Sequence, residues 1–326
     1  ITSNQVAKLA GVSQSTVSRS FTPDSSVSEK TRRRVLDAAR KLGYQPNAMA
    51  RSLITRRSKM VGIVIANVAT NPFYPEVLDL LSRRFQERGQ KVMLFAVTRD
   101  QSLDDILPQL LEYQVEGILI TAATLSSAMA GECERWGTPV TLFNRYVPGS
   151  SASWFCCDNV EGGRTVARLL LDAGHRHIAY LAGIEDTSTS VDREKGFQEI
   201  LQKEGYVSLR EIGNYTYQGA HDATLRLLER PDPADAIFCA NDLMALGVLQ
   251  AAWEAGLKVP DDFSVTGFDN IGWSQMATPR LTTLDVDRRE MGREAVRDRE
   301  RAEALDPSHR RCCPASLIGC AGVGDI

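Results

Sequence analysis

The chain has 326 residues, 43% hydrophobic and 24% charged, the balance of a globular protein of about two domains at ~150 residues each. That balance excludes a disordered chain, a collagen and a coiled-coil rod, and no apolar run approaches the ~18 residues of a membrane span, so no membrane contact is expected. The net charge of −3 divides unevenly: residues 1–60 carry 12 basic and 3 acidic side chains, a net of +9, and residues 61–326 carry 26 and 38, a net of −12. A basic head that meets a polyanion and an acidic body that does not would produce this asymmetry.

The chain opens on ITSNQVAKLAGVS, which lacks the basic start and apolar core of a secretion signal, so a cytoplasmic location is expected. Ser3 or Asn4 can cap a first helix running through Leu9, with Val6, Leu9 and Ala10 at the spacing of one face. Gly11 supplies a tight turn, and Val12 can plug the space between two helices. Ser13 then caps a second helix, 14–20, and Ser28 caps a third, 29–42, which Gly43 ends. On the third, Val35, Ala39 and Leu42 share a face. The second helix is polar everywhere except Val17, which suits a helix lying in a major groove better than a core element. Gln and Ser can approach base edges closely, and Arg can reach guanine O6 and N7. An ordinary three-helix bundle is the alternative, and the +9 charge favours DNA.

The run QVAKLAGVSQSTVSRSF, followed by VSEKTRRRVLDAARKLGYQPNAMARSL, resembles the N-terminal signature of the LacI/GalR (lac repressor) family of bacterial transcription regulators. The resemblance continues to about residue 292. It implies that Gln14, Ser15 and Arg19 read bases, and that Ser13, Thr16, Ser18 and Asn47 hold the phosphate backbone. It also implies a hinge helix over 47–55 that orders on DNA, with Leu53 wedged into the minor groove. Pro46 breaks the preceding helix, Asn47 can cap a new one, and nine residues are too few for a stable isolated helix. The expected divisions are a helix-turn-helix domain over 1–46, hinge and linker over 47–58, and a body over 59–326. The body's two lobes would be 59–158 with 288–310, and 159–287 with 311–326.

From Lys59 onward apolar strands alternate with amphipathic helices. Strands are expected at 61–68, 91–97, 117–122, 140–144, 155–158, 177–182, 236–240, 264–269 and 281–285, and helices at 75–89, 160–174, 193–205 and 243–256. This alternation implies parallel sheets covered on both faces, in two α/β lobes like those of a periplasmic binding protein. In such sheets ligands sit beyond the carboxyl ends of the strands. The residues there are Asn71, Phe73, Tyr74, Asn144, Arg145, Asp158, Asn159, Thr187, Thr189, Arg193, Tyr215, Asn241, Asp242, Asp269 and Asn270. Aromatic faces with Asp, Asn and Arg suit a polyhydroxylated or carboxylated small molecule, a sugar or sugar acid. The resemblance adds that positions matching Phe73, Arg193, Tyr215, Asn241 and Asp269 contact an effector, and that the protein is a homodimer or tetramer on a palindromic operator in double-stranded DNA.

Seven cysteines include no C-x-x-C pair, and reduced, buried thiols are expected. His175 and His177 lie where a helix ends and a strand begins, a turn position rather than a metal site. No phosphate-binding loop, nucleophile elbow or paired acid/base constellation is present, so neither catalytic residues nor a cofactor are expected. Near the C-terminus RDRERAEALDPSHRR replaces an apolar helix of the family, and CCPASLI resembles its closing strand. The expected function is a repressor whose operator affinity is set by an effector in the cleft. A solute-binding protein would share the body but needs a secretion signal and has no use for the head.

Overall fold

A computed structural model describes residues 1–22, 25–47, 58–66, 71–97, 103–121, 132, 133, 135–150, 152–302, 310–313 and 315–318. The chain divides into two compact units, 1–59 and 60–326.

The first unit holds α1 (Ser3–Ala10), α2 (Gln14–Ser20) and α3 (Glu29–Leu42). Ser13 and Ser28 cap α2 and α3 through their hydroxyls, and Gly11 and Gly43, both left-handed, end α1 and α3. The cap of α1 is Thr2 rather than Ser3 or Asn4. Thr2 Oγ1 accepts from Gln5 N, and Gln5 Oε1 accepts from Thr2 N at 2.8 Å, a reciprocal capping box. Val6, Ala7, Ala10, Val17, Val35, Ala38 and Ala39 form the core, with Val12 and Leu42 packed at its edge. Leu9, expected on that face, is instead 53% exposed. Ala7 takes the inward position, because Val6, Ala10 and Ala7 already span the narrow stripe that a three-helix core can cover.

Among the described residues the second unit builds two parallel sheets and a two-stranded antiparallel one. In the first lobe β1 (Met60–Ala66), β2 (Lys91–Val97), β3 (Ile118–Thr121), β4 (Val140–Phe143) and β5 (Ser153–Cys157) are joined through α4 (Phe73–Glu87) and α5 (Leu103–Glu112). In the second lobe α6 (Asn159–Asp172), β6 (Ile178–Ala182), α7 (Ser188–Lys203), β7 (Leu209–Ile212), α8 (Tyr217–Leu228), β8 (Ala236–Cys239), α9 (Asp242–Glu254), β9 (Ser264–Thr266), α10 (Gly272–Met276) and β10 (Thr283–Val286) follow in turn. The chain then returns through α11 (Arg288–Ala302) and β11 (Arg310–Cys313) to the first lobe, and ends in β12 (Ala315–Ile318), paired antiparallel to β10. The two parallel sheets run β11-β5-β4-β3-β1-β2 and β7-β6-β8-β9. Fully buried strands such as IAYLA and AIFC need helices on both faces, which the crossovers supply.

Three features depart from the sequence reading. β7 was not expected: LREI is a half-exposed edge strand with alternating charges, and its apolar signal is weak. The closing run CCPASLI divides between two sheets, its cysteines in β11 and ASLI in β12, so the lobe boundary falls after Cys313 rather than at 310. The charged run after Val296 stays helical to Ala302, while Met291, Ala295 and Val296 bury against the first lobe.

Candidate nucleic-acid interface and ligand cleft

On α2 the side chains of Gln14, Ser15, Ser18 and Arg19 are exposed, Thr16 is half-buried, and Val17 is sealed in the core. Ser13 Oγ lies 2.8 Å from Thr16 Oγ1 and 2.9 Å from Ser15 Oγ. Gln14 Nε2 donates to Ser3 Oγ at 3.2 Å, and Arg19 Nε donates to the Ser15 carbonyl at 3.3 Å. These contacts orient polar groups along one outward edge without burying them. Arg32 does different work: it donates to the carbonyls of Ser20 and Thr22 and to Ser25 Oγ, tying α3 to the end of α2. Asn47 is exposed. Leu53 and the rest of the expected hinge lie outside the described residues.

In the body, a cleft is lined by Asn71, Phe73, Tyr74, Asn144, Arg145, Ile184, Thr189, Arg193, Tyr215, Asn241 and Asp269. All of these residues come from carboxyl ends of strands or from helices that follow them, as the topology demands. Asp158, also expected there, instead caps α6, accepting from Glu161 N at 2.9 Å. Ile184 was missed; it lies two residues beyond β6, where the strand-end rule reaches but chemistry gives no signal.

Arg193 is the centre of the cleft. It is 1% exposed, and its Nη2 donates to Asp269 Oδ1 at 3.1 Å and its Nε to Asn159 Oδ1 at 2.8 Å. Nη1 donates to the Ala240 carbonyl, and the guanidinium stacks 3.7 Å from the Phe268 ring centroid. Burial, the largest single influence, opposes the charge on Arg193, but Asp269 together with Tyr215, Cys157 and Tyr180 outweighs it and raises the pKa. Burial likewise raises the Asp269 carboxyl, against the pull of Arg193 and Arg288. Close packing of α6 on α7 sets the arginine's depth. A Cβ on Gly163 would meet the Arg193 carbonyl at 2.2 Å, and one on Gly196 the Val160 carbonyl at 1.8 Å.

Around this centre, Asn241 caps α9, accepting from Met244 N at 2.9 Å. Tyr215 lies against Gly183, where a Cβ would sit 2.2 Å from its ring, and donates to Thr189 Oγ1 at 3.1 Å. Phe73 and Tyr74 pack edge to face at 5.3 Å, and Asn71 Oδ1 accepts from Phe73 N. Burial raises the Tyr74 phenol. Asn144 is held left-handed at φ +65°, and its buried Oδ1 has no hydrogen-bond partner among the described residues. Beneath the cleft, Asp242 opens α9, accepting from Ile271 N at 2.9 Å and from Thr283 Oγ1. Burial, with the nearby Asp269 charge, pushes its carboxyl up to about 8.

The lobes touch across the cleft. Tyr146, after β4, donates its hydroxyl to Asp192 at 3.0 Å and its amide to Ser188 Oγ at 3.0 Å. Arg288 donates to the Asp269 and Asn270 carbonyls and pairs with Glu76 at 3.2 Å. His177 Nδ1 lies 2.8 Å from the Pro233 carbonyl and His175 Nδ1 3.4 Å from Asp235, so both pin the turn before β6. Among the described residues no helix is long and apolar enough to cross a membrane.

A polar recognition helix on one unit and a two-lobed ligand cleft in the other define a ligand-responsive DNA-binding protein. The family model for bacterial regulatory proteins of the lacI family matches residues 3–47, and that for a periplasmic binding protein-like domain matches 167–318. The HTH-type transcriptional regulator CelR of Thermobifida fusca is 32% identical over 318 residues, 94% of each chain. The lac repressor dimer bound to operator and the anti-inducer ONPF superposes with a TM-score of 0.89 at 27% identity, covering 99% of each chain. A CelR–cellobiose complex superposes at 0.75 with 30% identity over the same share. The chain belongs to the lacI family of bacterial regulatory proteins, and its relatives are transcriptional regulators rather than enzymes.

Proposed function

We propose that this regulator is a cytoplasmic, homodimeric repressor whose grip on a palindromic operator is set by a sugar or sugar acid in the body's cleft. Two recognition helices related by a two-fold axis need matching half-sites. Gln14, Ser15 and Arg19 read base edges, and Ser13, Thr16, Ser18 and Asn47 hold phosphates. Leu53 in the hinge, 47–55, wedges the minor groove at the operator centre.

The observation that carries the effector reading is the pairing of a buried arginine with an orphaned acceptor. Arg193 is held by Asp269, and Asn144 Oδ1 is buried with nothing to accept from among the described residues. A ligand hydroxyl would satisfy that oxygen, while Phe73, Tyr74 and Tyr215 cover an apolar ring face. The cellobiose complex of a relative and the operator complex of another support this assignment. The cleft presents acceptors and donors suited to holding a polyhydroxylated ligand, and the relatives are regulators, which supports binding as its role.

The test is fluorescence anisotropy of an operator selected from random DNA, titrated with protein and a panel of mono- and disaccharides and their acids. The reading expects one class to change operator affinity through the cleft, typically by about 1–3 kcal/mol of coupling. If calorimetry finds that no sugar binds the intact protein, the effector class is wrong.

A further inference from the structure

The Asp269 carboxylate holds Arg193, yet its backbone is one that a residue with a side chain avoids. Asp269 has φ +108° and Asn270 φ +49°, two consecutive positive values with neither residue a glycine. Such a pair persists only where its surroundings hold it. Part of the hold is local to the second lobe. Asp269 N donates to the Leu284 carbonyl at 2.9 Å, Asn270 Nδ2 to Asp285 Oδ1 at 2.9 Å, and Gln275 Nε2 to Asn270 Oδ1 at 2.8 Å. The rest comes from Arg288. Its Nη1 donates to the Asp269 carbonyl and its Nη2 to the Asn270 carbonyl at 3.1 Å, so one planar fork spans both strained residues. Arg288 is rooted in the other lobe. It opens α11, which packs on α4 and β5. A Cβ on Gly292, one turn further on, would stand 2.8 Å from Leu80 Cδ2, so the two helices lie close. From that root the guanidinium pairs with Glu76 at 3.2 Å and lies 5.6 Å from the Phe73 ring centroid. Glu76 also faces the strained turn: a Cβ on Gly272 would be 3.7 Å from its Oε1.

We propose that Arg288 is a positioning residue of the cleft, fixing Asp269 of the second lobe and Phe73 of the first in register with each other. Without the fork, Asp269 relaxes to negative φ, and that rotation turns its carboxylate away from Arg193. Without Glu76, the fork loses its anchor on α4, the helix that carries Phe73 and Tyr74. Lysine does not replace the arginine, because a single ammonium is a point charge and lacks the rigid fork that meets two adjacent carbonyls and a carboxylate together. That the aligned groups serve an effector rests on the function proposed above; the alignment itself does not.

The test is amide hydrogen exchange in the full-length protein without DNA or sugar, read by mass spectrometry. In R288A the segment 267–276 should exchange at least about tenfold faster, because its opening no longer breaks two charge-assisted bonds. R288K should lie nearer to R288A than to wild type, and E76Q should show a smaller rise in the same segment. Added ethylguanidinium should restore protection in R288A, a rescue that general packing of α11 would not give. Wild-type protection of 267–276 in R288A or in R288K overturns the proposal. So does a loss spread evenly over α4 and α11 without rescue, which makes Arg288 a packing residue. If R288A does not fold, R288K and E76Q decide the matter by the same segment. If no sugar binds the wild type, the effector reading falls, while these rates still judge Arg288.

Discussion

The head and the body recognise their ligands by opposite strategies. Gln14, Ser15 and Arg19 lie within six consecutive residues of one helix and are exposed; Arg19 is held by Ser15, Ser15 by Ser13, and Gln14 by Ser3 of the preceding helix. The cleft draws on seven separated stretches of chain, and Arg193, Asn241 and Asp269 are each at most 5% exposed. A DNA groove is large and wet, so a single displayed edge can read it. A small molecule must be enclosed, so its site is made of groups that also hold the fold. Substitutions on α2 should therefore change affinity alone, while those in the cleft should change affinity and stability together.

The largest expected effect is in the cleft. Arg193→Ala leaves Asp269 buried with its chief partner gone, and breaking such a pair costs about 3–5 kcal/mol. Denaturant unfolding should show the body's transition shifted by that amount and the head's unmoved. A shift below about 1 kcal/mol would place the pair in a wetter setting and weaken the contrast. Arg19→Ala comes next. It should cost about 1–3 kcal/mol of operator affinity if the guanidinium forks onto a guanine, with both unfolding transitions unchanged. Wild-type affinity between ~50 and ~200 mM salt should also fall steeply, because a +9 head displaces several counterions.

The sequence revealed the head more fully than the body for the same reason. Caps at Ser13 and Ser28 and glycines at 11 and 43 act over three or four residues, so local pattern specifies them. Even there Leu9 misled, since helical spacing permits two stripes and only packing selects the one with Ala7. In the body the strand-end rule gathered Asn71, Phe73, Tyr74, Asn144, Arg145, Thr189, Arg193, Tyr215, Asn241 and Asp269 around one cavity. It could not separate Asp158, because a carboxylate after a strand serves equally as a helix cap. It also gave no hint that Arg193 would be fully buried; that depth comes from Gly163 and Gly196, whose effect depends on a contact between two helices. The orphaned oxygen of Asn144 is a property of the assembled cleft.

Asp242 tests the difference by pH. Its carboxyl sits at about 8 in the folded body against an ordinary 3.8, so between these values the folded state holds a proton that the unfolded chain has lost. Stability then falls as pH rises through this window, by at most about 1.4 kcal/mol per unit, and levels off above about 8. His221, raised by Asp222 and Glu254, adds a smaller fall of the same sign; it is exposed to solvent screening. Asp242→Asn can give its oxygen to Ile271 N–H and its amide to Thr283 Oγ1. The variant should flatten the body's stability between pH 6 and 8. An unchanged slope would mean that Asp242 is ionised in the fold.

The smallest effect concerns which residue starts the head. Thr2 caps α1 with its hydroxyl, but that bond is long at 3.4 Å, and the stronger half of the capping box is the Thr2 amide to Gln5 Oε1 at 2.8 Å. Thr2→Ala keeps the amide and loses only the hydroxyl, so it should cost about 0.5 kcal/mol, the low end for a cap. Gln5→Ala removes the better bond and should cost at least as much. Asn4→Ala should cost nothing at the cap, whereas a helix started by Asn4 would reverse that order. Ser3→Ala is the informative case, since Ser3 Oγ accepts from Gln14 Nε2. Its loss should leave thermal stability near wild type and yet free the Gln14 amide, shifting the preferred base in operator selection. A stability loss without a change in preference would make Ser3 a structural residue of α1 and remove the link between the first helix and the reading edge of the second.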